Sequence, residues 1–79
     1  MSNWKNNVFE TDNIRIQITN KHINYPNEWI MHVRELNWRC IPLGLKADEQ
    51  AEIAQFEALK ICALHTAKLI SDIHKAMLS

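Results

Sequence analysis

Glycine is almost missing from this chain: Gly44 is the only one among 79 residues. That excludes every Gly-rich, phosphate-cradling loop and with it P-loop nucleotide hydrolysis. Cysteine is limited to Cys40 and Cys62. Their spacing has none of the framework of a disulfide scaffold, so both read as reduced, buried, small apolar residues. No run approaches the ~20 apolar residues that cross a bilayer, and Met1 to Asn7 (MSNWKNN) lacks the apolar core of a secretory signal. The expectation is a cytoplasmic protein with no membrane role. Charge of one sign is also missing, since nine Lys/Arg face nine Asp/Glu. A strongly basic nucleic-acid clamp and an acidic mimic of nucleic acid are both disfavoured.

What is present suits one small domain: 47% of the residues are hydrophobic and 23% charged, with no low-complexity segment and no internal repeat. The chain divides by texture into a β-meander over 1–46 and a helical part over 47–79. In the first part, Ile14, Ile16 and Ile18 alternate with Arg15, Gln17 and Thr19, which places the isoleucines on one face of a strand. Val8-Phe9 is a candidate further strand ahead of the turn-forming Thr11-Asp12-Asn13. Trp29 to Glu35 and Trp38 to Leu43 form an expected hairpin around Leu36-Asn37. The connection is either a two-residue turn or a longer loop with Asn37 left-handed. In the two-residue register, Trp29, Met31 and Val33 share the core face with Trp38 and Cys40. Ile30, His32 and Arg34 then share the outer face with Arg39, Ile41 and Leu43. Pro42 puts the last strand at an edge or ends its pairing.

From Asp48, the expected N-cap, there is no Gly or Pro to the chain end, and Ala, Leu, Glu, Gln and Lys favour a helix. An apolar arc of Ala51, Ala58, Leu59, Cys62, Leu69, Ile70, Ile73, Ala76 and Met77 is expected to cover the sheet. A second flank carries Phe56, Ala63 and Ala67, with Ile53 and Leu64 farther round. Roughly thirty helical residues span ~45 Å, against ~30 Å for a compact chain of this size. Either the helix breaks near Thr66, or its surplus apolar flank meets a second copy or another protein; the absence of a helix breaker favours the latter. The fold class is therefore α+β: a three-stranded antiparallel sheet, four with Val8-Phe9, packed on one long C-terminal helix or two.

No catalytic site and no cofactor is expected. Ser71, Asp72 and His74 carry triad chemistry, but neighbouring helical residues point apart. The four histidines, His22, His32, His65 and His74, show no ligand spacing, and no metal site is expected. The candidate binding residues are Arg15, Gln17, His32, Arg34 and Arg39 on the outer sheet face, and Phe56, Ala63, Leu64 and Ala67 on the helix flank. Trp4 reads as an exposed anchor or a satellite of the core.

A sheet carrying Arg15, Gln17, His32, Arg34 and Arg39 with a helix behind it resembles, in arrangement, the N-terminal arm-binding domains of phage integrases and the AP2-type domains, which implies contact with the DNA major groove. The whole chain resembles in style the small accessory proteins of phages and mobile elements, including anti-CRISPR proteins. That resemblance implies a non-catalytic interaction protein that occupies a partner's surface, as an inhibitor of a host defence or regulatory complex. The expected partners are a protein or a second copy through the helix flank, with sheet-mediated DNA binding as the alternative.

Overall fold

A computed structural model describes residues 4–78. Five antiparallel strands follow in chain order across one sheet: β1 (Trp4–Lys5), β2 (Val8–Glu10), β3 (Arg15–Thr19), β4 (Glu28–Val33) and β5 (Trp38–Lys46). A single helix, α1 (Ala51–Leu78), lies on one face. The architecture is the expected α+β meander and helix, with one strand more than the pattern suggests. That strand, β1, arises because Asn6 and Asn7 both adopt positive φ (52° and 63°), as a two-residue type I′ hairpin demands. Asparagine tolerates this conformation better than most side chains. The hairpin sets Trp4 opposite Phe9 with ring centroids 5.6 Å apart, and both pack on the edge of the core. Of the two roles expected for Trp4, the structure displays the core satellite.

The core follows the pleat. Ile16 and Ile18 of β3 pair with Val33 and Met31 of β4, and all four are buried with Trp29 against Ala54, Ala58 and Cys62 of α1. The two buried alanines matter because only a side chain that short lets the helix axis approach the sheet closely. Burial raises the Cys62 thiol pKa, and its Sγ lies 3.8 Å from Met31 Sδ. The indole Nε1 of Trp29 donates to the carbonyl of Glu49 at 3.0 Å, tying β4 to the chain just ahead of α1. Helical structure begins at Ala51, three residues beyond Asp48, which is exposed in the preceding turn and does not cap it.

β5 is an edge strand, as Pro42 requires, and it is bulged twice. Glu28 faces Lys46 and Ile30 faces Pro42, which leaves Leu43, Gly44 and Leu45 opposite Trp29 alone. Gly44 absorbs the distortion at φ +75°. Nearer the turn, Met31 faces Ile41 and Val33 faces Trp38, so Arg39 and Cys40 together oppose His32. Cys40 takes φ +53° there. This second bulge corrects the expected register: Trp38 stays toward the core, Cys40 turns to the outer face, and Ile41 and Leu43 move to the core side. Cys40 is accordingly half-buried, not a core residue.

The hairpin connection is the longer of the two alternatives. Arg34–Leu36 form a 3-10 turn, and Asn37 is left-handed (φ 56°, ψ 32°) with its N–H bonded to the Arg34 carbonyl. Arg34 and Glu35 thus belong to the turn and not to β4.

α1 is continuous for 28 residues, about 42 Å, with no break at Thr66, whose hydroxyl donates back to the Cys62 carbonyl at 2.9 Å. The molecule measures 47 × 27 × 19 Å. Only the first half of the helix meets the sheet. His65 is the last residue with cover, its ring edge-on to Trp38 at 4.7 Å, and every residue from Thr66 to Leu78 is exposed. Leu69, Ile70, Ile73, Ala76 and Met77 therefore do not cover the sheet as the arc suggests, because the strands end before the helix does. No helix among the described residues is long and apolar enough to cross a membrane.

Candidate functional site

All five expected sheet-face residues, Arg15, Gln17, His32, Arg34 and Arg39, line one open groove of about 550 Å³, together with His22, Asn24 and Cys40. The pleat brings Gln17 and His32 side by side as cross-strand partners. Arg15 and Arg34 line the groove, and Glu35 engages the backbone of the first and the guanidinium of the second. Glu35 accepts the Arg15 backbone N–H at 2.7 Å and the Arg34 Nε–H at 3.0 Å. The hydrogen bond from the Arg15 backbone N–H does most to hold the Glu35 carboxyl below its usual range, with Arg34 adding to it. Glu10 lies 4.0 Å from the Arg15 guanidinium, too far for a hydrogen bond. Arg39, on the bulge, is exposed.

The groove floor holds a cluster that sequence spacing does not reveal. His22 follows β3 in a tight turn, where its carbonyl accepts the Tyr25 N–H and its Nδ1 accepts the Asn24 N–H at 3.1 Å. Its ring lies 5.9 Å from that of His32. The Cys40 N–H reaches His32 Nδ1 at 3.3 Å, and Cys40 Sγ lies 3.8 Å from His22 Nε2. Burial holds the His32 pKa below its ordinary value, with the charges of His22 and Arg39 acting the same way. The expectation of dispersed histidines thus fails for two of the four. The available signal is the eight-residue step from His32 to Cys40, which a four-residue connection and one bulge turn into a cross-strand contact.

The second candidate surface is the helix flank. Phe56, Ala63, Leu64 and Ala67 are all exposed, Phe56 at 68% and Leu64 at 64%. Their stripe continues past the sheet as Ile70 (62% exposed), Ile73 and Met77. Phe56, Ala63, Ile70 and Met77 recur every seventh residue, with Leu59, Thr66 and Ile73 three residues after the first three of them. This is the spacing of a helix–helix seam. The sheet face and the helix flank lie on opposite layers, so the nine expected residues form two separate surfaces.

No protein-family model matches the chain, and neither the curated proteins nor the solved structures yield a match.

Proposed function

We propose that this chain is a small non-catalytic interaction protein that works by laying the projecting half of α1 against another helix, a second copy of itself being the preferred occupant. The observation that carries this reading is the uninterrupted exposure from Thr66 to Leu78, which leaves Leu69, Ile70, Ile73, Met77 and Leu78 in water. Contiguous apolar surface of that kind on a small domain marks a contact site. Area supports it too. The chain exposes 6105 Å², whereas a compact monomer of its mass exposes about 5,000 Å². The surplus of about 1,100 Å² compares with the ~800 Å² per partner of a standard interface. Small residues at Ala63, Thr66 and Ala67 let two such helices approach closely, and a seam made of one repeated stripe is self-complementary, as a two-fold dimer needs.

Sheet-mediated DNA binding has the three groove arginines in its favour. Against it, Glu35 engages Arg34, Glu10 lies beside Arg15, and the chain carries no net positive charge to release counterions from phosphates.

Sedimentation velocity decides between them. Dimer is expected at tens of micromolar, and Ile70→Asp with Ile73→Asp is expected to return monomer with an unchanged circular dichroism spectrum. A wild-type chain that stays monomeric at millimolar concentration overturns the proposal. DNA binding that weakens steeply with added salt and with Arg39→Ala would support the alternative.

A further inference from the structure

We propose that His22, His32 and Cys40 form a binding site for one thiophilic transition-metal ion, zinc(II) being the simplest case, whose fourth coordination position opens into the groove. One ligand atom from each of the three residues falls within 4.8 Å of the other two. They come from three different segments: the turn after β3, the last residues of β4 and the bulge of β5. Convergence from three segments is a property of the fold and not of local sequence.

The distances suit a metal. Zinc–sulfur and zinc–nitrogen bonds of about 2.3 and 2.05 Å at a tetrahedral angle place the two ligand atoms about 3.6 Å apart. Cys40 Sγ and His22 Nε2 are 3.8 Å apart. One thiolate with two imidazoles is a borderline-soft set that selects zinc, cobalt or copper over magnesium or calcium. All three residues are half-buried, so the ion would be shielded on the sheet side while the groove side admits water or a further ligand. Three protein ligands with one open position is the arrangement of reactive rather than purely structural zinc centres.

The bulge adds a second, independent reason. A regular hairpin register would send Cys40 into the core face, and the chain instead holds a non-glycine residue at φ +53° to bring its thiol beside the histidines. Strained conformations of this sort collect at functional positions. In the metal-free arrangement each Nδ1 accepts a backbone amide, so each neutral ring carries its proton on Nε2. The proton released on binding is that of the Cys40 thiol, while ligation through His22 Nε2 moves that ring's single N–H proton from Nε2 to Nδ1 and gives up the hydrogen bond from the Asn24 amide. That bond lies in an exposed turn free to adjust.

The test uses the reduced, full-length chain titrated with cobalt(II) and then zinc(II). One equivalent of cobalt is expected to give a cobalt–thiolate charge-transfer band, which zinc removes by competition. Cys40→Ser should abolish the band, and Cys62→Ser should leave it intact. His22→Asn, at a turn whose change leaves the core untouched, should weaken binding at least tenfold, and His32→Asn likewise. Absence of the band, or a band that survives Cys40→Ser and disappears with Cys62→Ser, overturns the site. Circular dichroism of each variant separates loss of ligand from loss of fold.

Discussion

Cys40 and Gly44 both hold positive φ on the same edge strand, but substitution introduces strain at Gly44 and relieves it at Cys40. Nothing lies within 4 Å of where a Gly44 Cβ would sit, so Gly44→Ala meets backbone strain alone. It should lower stability by about 1 kcal/mol in urea denaturation. Cys40 already bears that strain. Cys40→Gly relieves it while loosening the unfolded chain, and the net change should stay within about 1 kcal/mol. A much larger loss would mean that the thiol contributes to folding without metal. Glu35 provides the pH dependence. Its carboxyl is held below its ordinary 4.5, chiefly by the Arg15 amide. The folded state therefore prefers the charged form, and the gain is fully present above that value and fades as pH falls through the lower folded one. Glu35→Gln should cost stability at pH 7 and little at pH 2 to 3, measured by denaturant midpoints at both. Residue identity alone shows little of this, because the strain at Cys40 depends on which residues pair across the hairpin.

At the scale of elements, legibility follows the strength of local periodicity. Alternation around Ile16 and Ile18 makes β3 readable, and the run without Gly or Pro makes α1 readable. β1 escapes notice because a two-residue strand has no period, and only the paired positive φ of Asn6 and Asn7 creates it. The outer-face groove was half legible: its five polar residues follow from the pleat, whereas His22 and Cys40 join them through a turn and a bulge that composition does not announce. The helix arc misleads past His65 because periodicity reports a stripe and not what lies beneath it. Two substitutions on α1 separate its halves. Ala58→Leu, beneath which there is no room, should cost about 1–3 kcal/mol by overpacking. Ile70→Asp, on the free half, should change the stability of the monomer by less than about 0.5 kcal/mol. Thermal or urea unfolding at low protein concentration reads both.

Taken whole, the molecule is more extended than its length requires: the Cα radius of gyration is 14.1 Å, against about 12 Å for a compact domain of 79 residues. If the projecting helix is covered by a second copy, folding and association are linked, and the melting temperature should rise with chain concentration. A tenfold increase should give a measurable upward shift that Ile73→Asp removes. Concentration-independent melting in the wild type would count against the proposal, as a monomer in sedimentation does.

The rims of the sheet bear on what sort of assembly is open to this chain. Among the described residues, one margin is a strand of two residues; the other is interrupted by proline and by two kinks that break the row of amides. Neither offers the long, flat template on which strands stack indefinitely. Edge-to-edge strand pairing is disfavoured at both margins of the described sheet, so concentrated solutions should scatter light as discrete particles and not as cross-β fibres.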